Sequence, residues 1–596
     1  MSPNGFQKAN ITGLDKPMTK SSFWSVLLAV SLLLFTGSMT DATAQSEYFQ
    51  PVPDSLYEGL AFDMPKVQVP TFPEYTVSIK EYGAVGDGET LNTEAFEKAI
   101  THVSERGGGR VVVPKGIWRT GPIVLKSNVN LHARQGALVV FSDNFDLYPL
   151  IETSFEGLDT YRCMSPIYAK GVENVAITGE GVFDGSGGAW RPVHRSELTK
   201  SQWEEKVASG GVVAETEGQT TWYPSEESRQ GDPGNFNVPP DRNTREDYME
   251  VKDFLRPVMI SIRESEHVLL DGPTFQNSPA WMLHPLMSEN LIIRNLKIRN
   301  PVYAMNGDGL DLESSKNVVM YGNSFDVGDD AICIKSGKNE DGRERGMPTE
   351  NVIIRDNTVY RAHGGFVVGS EMSGGVRNIA VSDMTFIGTD VGVRFKSTRG
   401  RGGVVENIYI SDINMIDIVT EPIRFNLYYD GEAPSPNQKA EVVDEKKMEE
   451  QIPEVNEETP QFRNIHLENI LCQGARTALW IQGLPEMNVQ NVQLENVRIT
   501  AQRGGLVTDT DGLHWDDVTL TLQEGPGLYL SNAHNVQLRQ SEIAFRGAPG
   551  VGLRLEGPFT EKIALDGMRF TNAEMEVSRG PNVESDRVSR DAEDER

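Results

Sequence analysis

From about residue 125 the chain alternates short apolar strands with polar turns and keeps no helical period. An Asn followed by an apolar residue, any residue and a second apolar one recurs at Asn174, Asn290, Asn317, Asn351, Asn378, Asn407, Asn464 and Asn491. From Asn290 on, these starts lie 27, 34, 27, 29, 57 and 27 residues apart, and 57 is close to two units of 27–29. Other strands fall between them, such as Gly309-Leu-Asp-Leu312, Ala331-Ile-Cys-Ile334, Gly365-Phe-Val-Val368 and Val391-Gly-Val-Arg394. A fixed period of this size marks a solenoid. Each unit is too small to bury its own apolar face, so stacked coils must share one core. Neither a Leu-x-x-Leu-x-Leu pattern nor a Trp-Asp repeat is present. The pattern predicts an all-β chain wound as a parallel β-helix.

The N-terminal region reads differently. After a strand starting near Tyr75, Asn92 to Ile100 carries a helical stripe of Ala95, Phe96, Ala99 and Ile100, with Asn92 as its cap and Glu94 in its first turn. Gly107-Gly-Gly109 ends it and Val111 starts a strand. One amphipathic helix is therefore expected to cap the solenoid. Residues 76–578 are expected to form one β-helix domain, with an irregular extension at 45–75 wrapping it. Polar stretches at 195–255 and 430–460, and a shorter one at 337–350, read as inserted loops. The charged tail 579–596 is expected to be disordered. Residues 1–44 read as a signal peptide: Lys8, Lys16 and Lys20 precede an apolar run from Phe23 to Phe35, and Ala42-Thr43-Ala44 offers a cleavage site. The mature chain is then secreted or periplasmic, with no membrane span.

The formal net charge is −30. That excludes a general nucleic-acid partner, which needs a basic footprint. It also disfavours general attraction to any polyanion, so an acidic substrate would have to meet a local cluster of Lys and Arg. The three cysteines, Cys163, Cys333 and Cys472, have no disulfide or metal-ligand spacing and are expected to be small buried core residues.

Carboxylates concentrate between residues 300 and 400. Asn306-Gly-Asp-Gly-Leu-Asp311 holds Asp308 and Asp311, and Gly328-Asp-Asp330 holds Asp329 and Asp330. Asp308 and Asp330 are 22 residues apart, close to one minimal coil, and adjacent coils rise by about 4.8 Å. Two carboxylates one coil apart could face one glycosidic linkage, where hydrolysis needs an acid and a base or nucleophile. Crowded like charges would retain a proton to higher pH. Neighbours on a strand point to opposite faces, so Asp329 and Asp330 share a site only if the backbone bends, which Gly328 permits. Spacing alone leaves catalysis and an ordinary Asp turn both open. It does not match a calcium-binding loop. Arg394 and Lys396 share one strand face.

The ordered set Asn306-Gly-Asp308-Gly, Gly328-Asp329-Asp330, Ala362-His363-Gly364-Gly and Arg394-Phe-Lys396 resembles glycoside hydrolase family 28, the polygalacturonases. Asn277-Ser-Pro-Ala-Trp281-Met-Leu-His284-Pro and Ser370-Glu-Met-Ser-Gly-Gly375 are similar to its bacterial, exo-type members. The resemblance implies a right-handed parallel β-helix and hydrolysis with inversion, without metal or cofactor. It implies Asp329 as general acid, Asp308 and Asp330 holding and deprotonating water, and His363 beside the acid. It assigns Arg394 and Lys396 to the galacturonate carboxylate, and Tyr429 to a sugar contact. Gly307, Ala362 and Phe395 depart from the family pattern without removing a catalytic group.

The partner this implies is a pectic polysaccharide or oligosaccharide, cut at galacturonic-acid linkages. The two long insertions could wall off one end of a groove, which favours exo action. The competing expectations are a pectate-lyase-like eliminase on the same fold and a non-catalytic glycan-binding β-helix.

Overall fold

A computed structural model describes residues 49–216, 218–232, 238–429 and 452–590. The expected signal peptide and most of the 430–460 insertion lie outside the described residues. Residues Pro51–Arg596 form one unit built around a 35-stranded, parallel-paired sheet. The winding is the expected right-handed parallel β-helix.

Pairing runs from coil to coil. Lys316–Tyr321 pairs with Thr349–Arg355, which pairs with Val376–Ile387 and then Val404–Ile416. A second row holds Leu283–Leu286, Leu310–Glu313, Ile332–Lys335, Gly364–Val368, Val391–Lys396 and Ile423–Asn426. Along this row Leu310, Leu312, Ile332, Ile334, Phe366, Val393 and Phe395 point into the shared core. Their sequence neighbours point out, as strand alternation requires.

The recurring Asn residues sit where each coil turns. Asn174, Asn290, Asn317, Asn351, Asn378, Asn407, Asn464 and Asn491 all have positive φ. Asn enters this left-handed region more readily than most residues. Its side chain then bonds the coil beneath: Asn351 Nδ2 donates to Asn317 Oδ1 at 3.2 Å, Asn378 to Asn351 at 3.1 Å and Asn491 to Asn464 at 3.1 Å. The turn amides thus stack as a ladder along the solenoid.

The helix Thr93–Glu105 buries Ala95, Phe96, Ala99, Ile100 and Val103 against the first coils. Its preceding residue, Asn92, does not cap it through the side chain. The Asn92 amide is instead buried and tied to Val85, Thr90 and Arg119. The extension 51–75 lies along the body: Arg355 donates to Ser55 O at 3.1 Å and Phe62 meets the Tyr409 ring.

Two expected loops carry their own structure. The 195–255 stretch contains the helix Lys200–Ala208 and the strands Val212–Thr216 and Gln219–Tyr223, with Trp222 and Tyr223 buried. The 337–350 stretch contains the helix Asn339–Arg345. Within 452–460, Glu458 O accepts from the backbones of Gly400 and Gly402, so this part docks on the body. Of the tail expected to be disordered from Arg579, Val588–Arg590 adds a strand to Glu561–Asp566, and residues 591–596 lie outside the described residues. The open edge of the last coil supplies the partner that the charged sequence alone does not reveal. Among the described residues no helix is long and apolar enough to cross a membrane.

Candidate active site

The second strand row positions the site. Leu310 pairs with Ile332 and Gly309 N–H donates to Asp330 O, so Asp308 and Asp330 stand in register on adjacent coils. Both precede a strand, where the chain turns onto the outer face. One carboxylate oxygen each from Asp308, Asp329 and Asp330 lies within 4.8 Å of the others.

Asp329 and Asp330 share the site although they are neighbours. The Asp329 side chain folds back so that Oδ1 accepts the Asp330 N–H at 2.9 Å. Gly328 allows this turn to sit deep, since a Cβ there would come within 2.6 Å of Pro301 O. Gly307 is required in the same way: its Cβ would meet Ala304 O at 2.6 Å. Asn306 is held by buried Arg256, whose Nη2 donates to Asn306 Oδ1 at 3.0 Å and whose Nη1 reaches Pro279 O and Met305 O.

The three carboxylates have different surroundings. Asp330 is buried, but Lys396 Nζ lies 2.8 Å from its Oδ2 and Arg394 Nη1 3.8 Å from Oδ1. Burial alone would raise its pKa, yet the two cations outweigh that and hold it below the usual carboxylate range. For Asp308, burial and then the charges of Asp311 and Asp329 push the carboxyl well above that range. Asp311 is pushed up to about 8, again by burial first, against the pull of Lys335. Asp329 is the carboxylate of the trio with an opening: its side chain is 24% exposed. His363 Nδ1 lies 3.1 Å from Asp329 Oδ1, and that hydrogen bond raises the imidazole above its ordinary value.

Arg394 and Lys396 stand at alternate positions on Val391–Lys396, facing out, with Phe395 between them in the core. The Tyr429 ring lies 5.6 Å from the Arg394 guanidinium and 5.0 Å from Lys396 Nζ. Two cations against the one Asp330 carboxylate leave a positive charge beside the trio. That is the local cluster an acidic sugar needs on a chain of charge −30.

A further set was not singled out from sequence. Lys335 Nζ lies 3.2 Å from Asp311 and 3.5 Å from Glu371, over the face of Trp281 at 4.0 Å. Lys335 follows Ile332 and Ile334 at an outward position, Glu371 lies within Ser370–Gly375 and Trp281 within Asn277–Pro285, so strand alternation is the available signal. Cys333 is buried but is not a core residue: its Sγ faces Asp330 Oδ2 at 3.7 Å.

One side of the site is closed. The hairpin Leu150–Phe155/Leu158–Cys163 lies over the coils just before the trio, with Phe155 stacked on Trp281 and Arg263 bonded to Glu152 O. Its tip meets the 337–350 stretch: Lys338 N–H donates to Gly157 O, Lys338 Nζ pairs with Glu156 at 3.4 Å, and Arg345 pairs with Asp159 at 3.6 Å.

A family model described as glycosyl hydrolases family 28 matches residues 246–504, and one for rhamnogalacturonase A/epimerase, pectate lyase-like, matches 76–138. A probable polygalacturonase of Vitis vinifera is 30% identical over 351 residues, 57% of this chain and 61% of the relative. An exo-poly-alpha-D-galacturonosidase of Dickeya chrysanthemi is 28% identical over 367 residues, 59% of this chain and 57% of the relative. The chain thus spans less than two thirds of the length of these curated relatives. Among solved structures, the Yersinia enterocolitica family 28 exopolygalacturonase shares the fold, with a TM-score of 0.59 at 23% identity over 80% of this chain and 79% of that one. The Thermotoga maritima exopolygalacturonase superposes with a TM-score of 0.60 at 33% identity, covering 76% of this chain and 93% of that one. With that coverage, and with the family model lying across Asp308, Asp329, Asp330, His363, Arg394 and Lys396, the chain belongs to glycosyl hydrolases family 28.

Proposed function

We propose that this protein hydrolyses galacturonic-acid linkages of pectic chains, releasing short products from chain ends. The carrying observation is the convergence of three carboxylates from adjacent coils beside an Arg–Lys pair. Asp329 is the acid: it is the member open to the groove, and it gives its proton to the leaving glycosidic oxygen. Asp330, held ionised by Lys396 and Arg394, takes a proton from the water that attacks the anomeric carbon. Asp308 flanks that water. After each turnover Asp329 has lost a proton and the Asp308/Asp330 pair has gained one. Their separation within 4.8 Å lets it return through a single water.

Arg394 and Lys396 grip the carboxylate of the sugar on the leaving side. Two flanking carboxylates on the attacking side suit a water held between them, and hence inversion. The gap is shorter than the roughly 6.5–9.5 Å usual for direct displacement. The anomer first released, read by proton NMR, therefore decides the stereochemistry. The favoured outcome is inversion; retention would make one of the pair a nucleophile.

Exo action is supported by the hairpin 150–163, which packs over the coils before the trio, and by the helix 339–345, which meets its tip through Arg345 and Asp159 and is tied to the later coils through Arg343 and Gly400 O. Digestion of long homogalacturonan tests it. Monomer or dimer should appear from the outset; early mixed oligomers would refute it. Delivery outside the cytoplasm rests on the N-terminal basic and apolar run, and N-terminal sequencing of the mature protein should begin near Gln45.

A further inference from the structure

The strand row that carries Arg394 and Lys396 continues beyond them. Arg394 is in register with Arg424 on the next coil, and Arg424 with Trp480 on the one after. Lys396 is likewise in register with Asn426 and then Gln482. Between these two outward rows run Phe395, Phe425 and Ile481, all fully buried. The outward pair thus changes from Arg/Lys to Arg/Asn to Trp/Gln, one step of about 4.8 Å per coil. A (1→4)-linked pyranose chain advances by a similar step per sugar, so a chain lying along the solenoid meets one pair per unit.

The side chains are arranged for this. Arg424 is partly exposed and its guanidinium lies 5.7 Å from the Trp480 ring centre. Its ion pair is with Glu421 through Nη1 at 3.4 Å, in the way Arg394 pairs with Asp330. The Trp480 indole N–H donates to the buried Gln482 Oε1 at 3.3 Å, which fixes the ring while leaving it half-buried. A guanidinium suits a sugar carboxylate and an indole face suits the C–H face of a pyranose. The closed hairpin side puts the rest of a bound chain on this side.

We propose that Arg424 and Trp480 are specificity-determining residues that bind the two galacturonate units following the one gripped by Arg394 and Lys396, which are the third and fourth of the chain when a single unit lies before the cut. Arg424 with Asn426 takes the carboxylate of the third unit, and Trp480 with Gln482 stacks the fourth. This rests on the hydrolase reading above.

The test is kcat/KM for galacturonate oligomers of two, three and four units. It compares the wild type with Arg424→Gln, Trp480→Ala and Trp480→Phe. The wild type should gain activity at each added unit. Arg424→Gln should lose about tenfold on the trimer and tetramer while keeping the dimer rate. Trp480→Ala should lose mainly on the tetramer, with Trp480→Phe restoring it. Equal losses on all lengths, or no loss, would overturn the subsites while leaving the hydrolase reading intact. A wild type inactive on every oligomer would overturn both.

Discussion

Lys396 Nζ lies 2.8 Å from Asp330 Oδ2, and both side chains are almost entirely buried. Burial opposes the charged form of each, so either charge is sustained by the other. In Asp330 the Lys396 charge is the largest influence that lowers the pKa, followed by Arg394. The proposed base is therefore kept ionised by the same side chain that is proposed to grip the substrate carboxylate.

Lys396→Met should move the acid limb of the kcat/KM profile to higher pH. The sign follows from the geometry. With the ammonium gone, burial raises Asp330, and the base must lose its proton at a higher pH. The rate at neutral pH should fall by about 10²-fold or more, since one partner of a buried charge pair has been removed. A lower rate with an unmoved acid limb would mean that Lys396 serves substrate alone.

Asp329→Asn should separate the acid from its neighbour. The hydrogen bond to Asp329 is the largest cause raising His363 above 6.5. The amide keeps the shape and removes the charge, so the imidazole should titrate lower. NMR of the His363 ring reads this directly, and the rate should drop on the order of 10²–10⁴-fold. An unshifted ring would place the raising charge elsewhere, with Asp330 the next candidate.

Much of this site could be read from the chain because a solenoid converts sequence period into spatial register. Asp308 and Asp330, 22 residues apart, are in register because one coil separates them. Arg394 and Lys396 share a face by strand alternation. The turn ladder was half legible. The first Asn of each coil reads as a strand start, yet five residues later stands a second positive-φ position. It is Asn295, Gly322, Asp356, Asp383, Asp412, Asn469 or Asn496. That pattern is one of left-handed turns, and a search for apolar alternation passes over it. The closed wall was not legible at all. Lys338 and Glu156 are 182 residues apart in sequence and meet only because the hairpin 150–163 folds across intervening coils. Asn92 shows the opposite failure: a local capping rule lost to tertiary bonds with Val85 and Arg119.

Asn378→Ala should destabilise the chain by about 2 kcal/mol, for two separable reasons. It donates to Asn351 Oδ1 at 3.1 Å and its own oxygen faces Asn407 Nδ2 at 3.5 Å, so two ladder contacts vanish. It also sits at φ 56°, where Ala is strained by about 1 kcal/mol. Asn378→Gly loses the contacts without that strain and should recover about half of the deficit. Chemical denaturation of the three proteins checks the order. Equal midpoints for Ala and Gly would show that backbone conformation contributes nothing at this turn.

Glu313 should impose a pH dependence on stability rather than on catalysis. It is wholly buried, with His284 Nε2 at 2.8 Å and Arg345 Nη1 at 2.6 Å. Burial raises its pKa, but His284 and Arg345 outweigh that and bring it down from 4.5 to about 2. A depressed carboxyl stabilises the fold only while it is ionised. The contribution is therefore complete above about 4.5 and is lost as pH falls from there toward 2. Its size is about 3 kcal/mol. Glu313→Gln leaves buried Arg345 without its anion, so it should cost about 3–5 kcal/mol near neutral pH. Arg345 also holds the helix 339–345 against Asp159, so the variant should loosen the wall as well as the coil. Denaturation of wild type and Glu313→Gln at several pH values gives the comparison. The gap between them should be wide at pH 5 and above and should narrow below about 4.5. A gap independent of pH down to 2 would show that packing, and not the charge, is what Glu313 supplies.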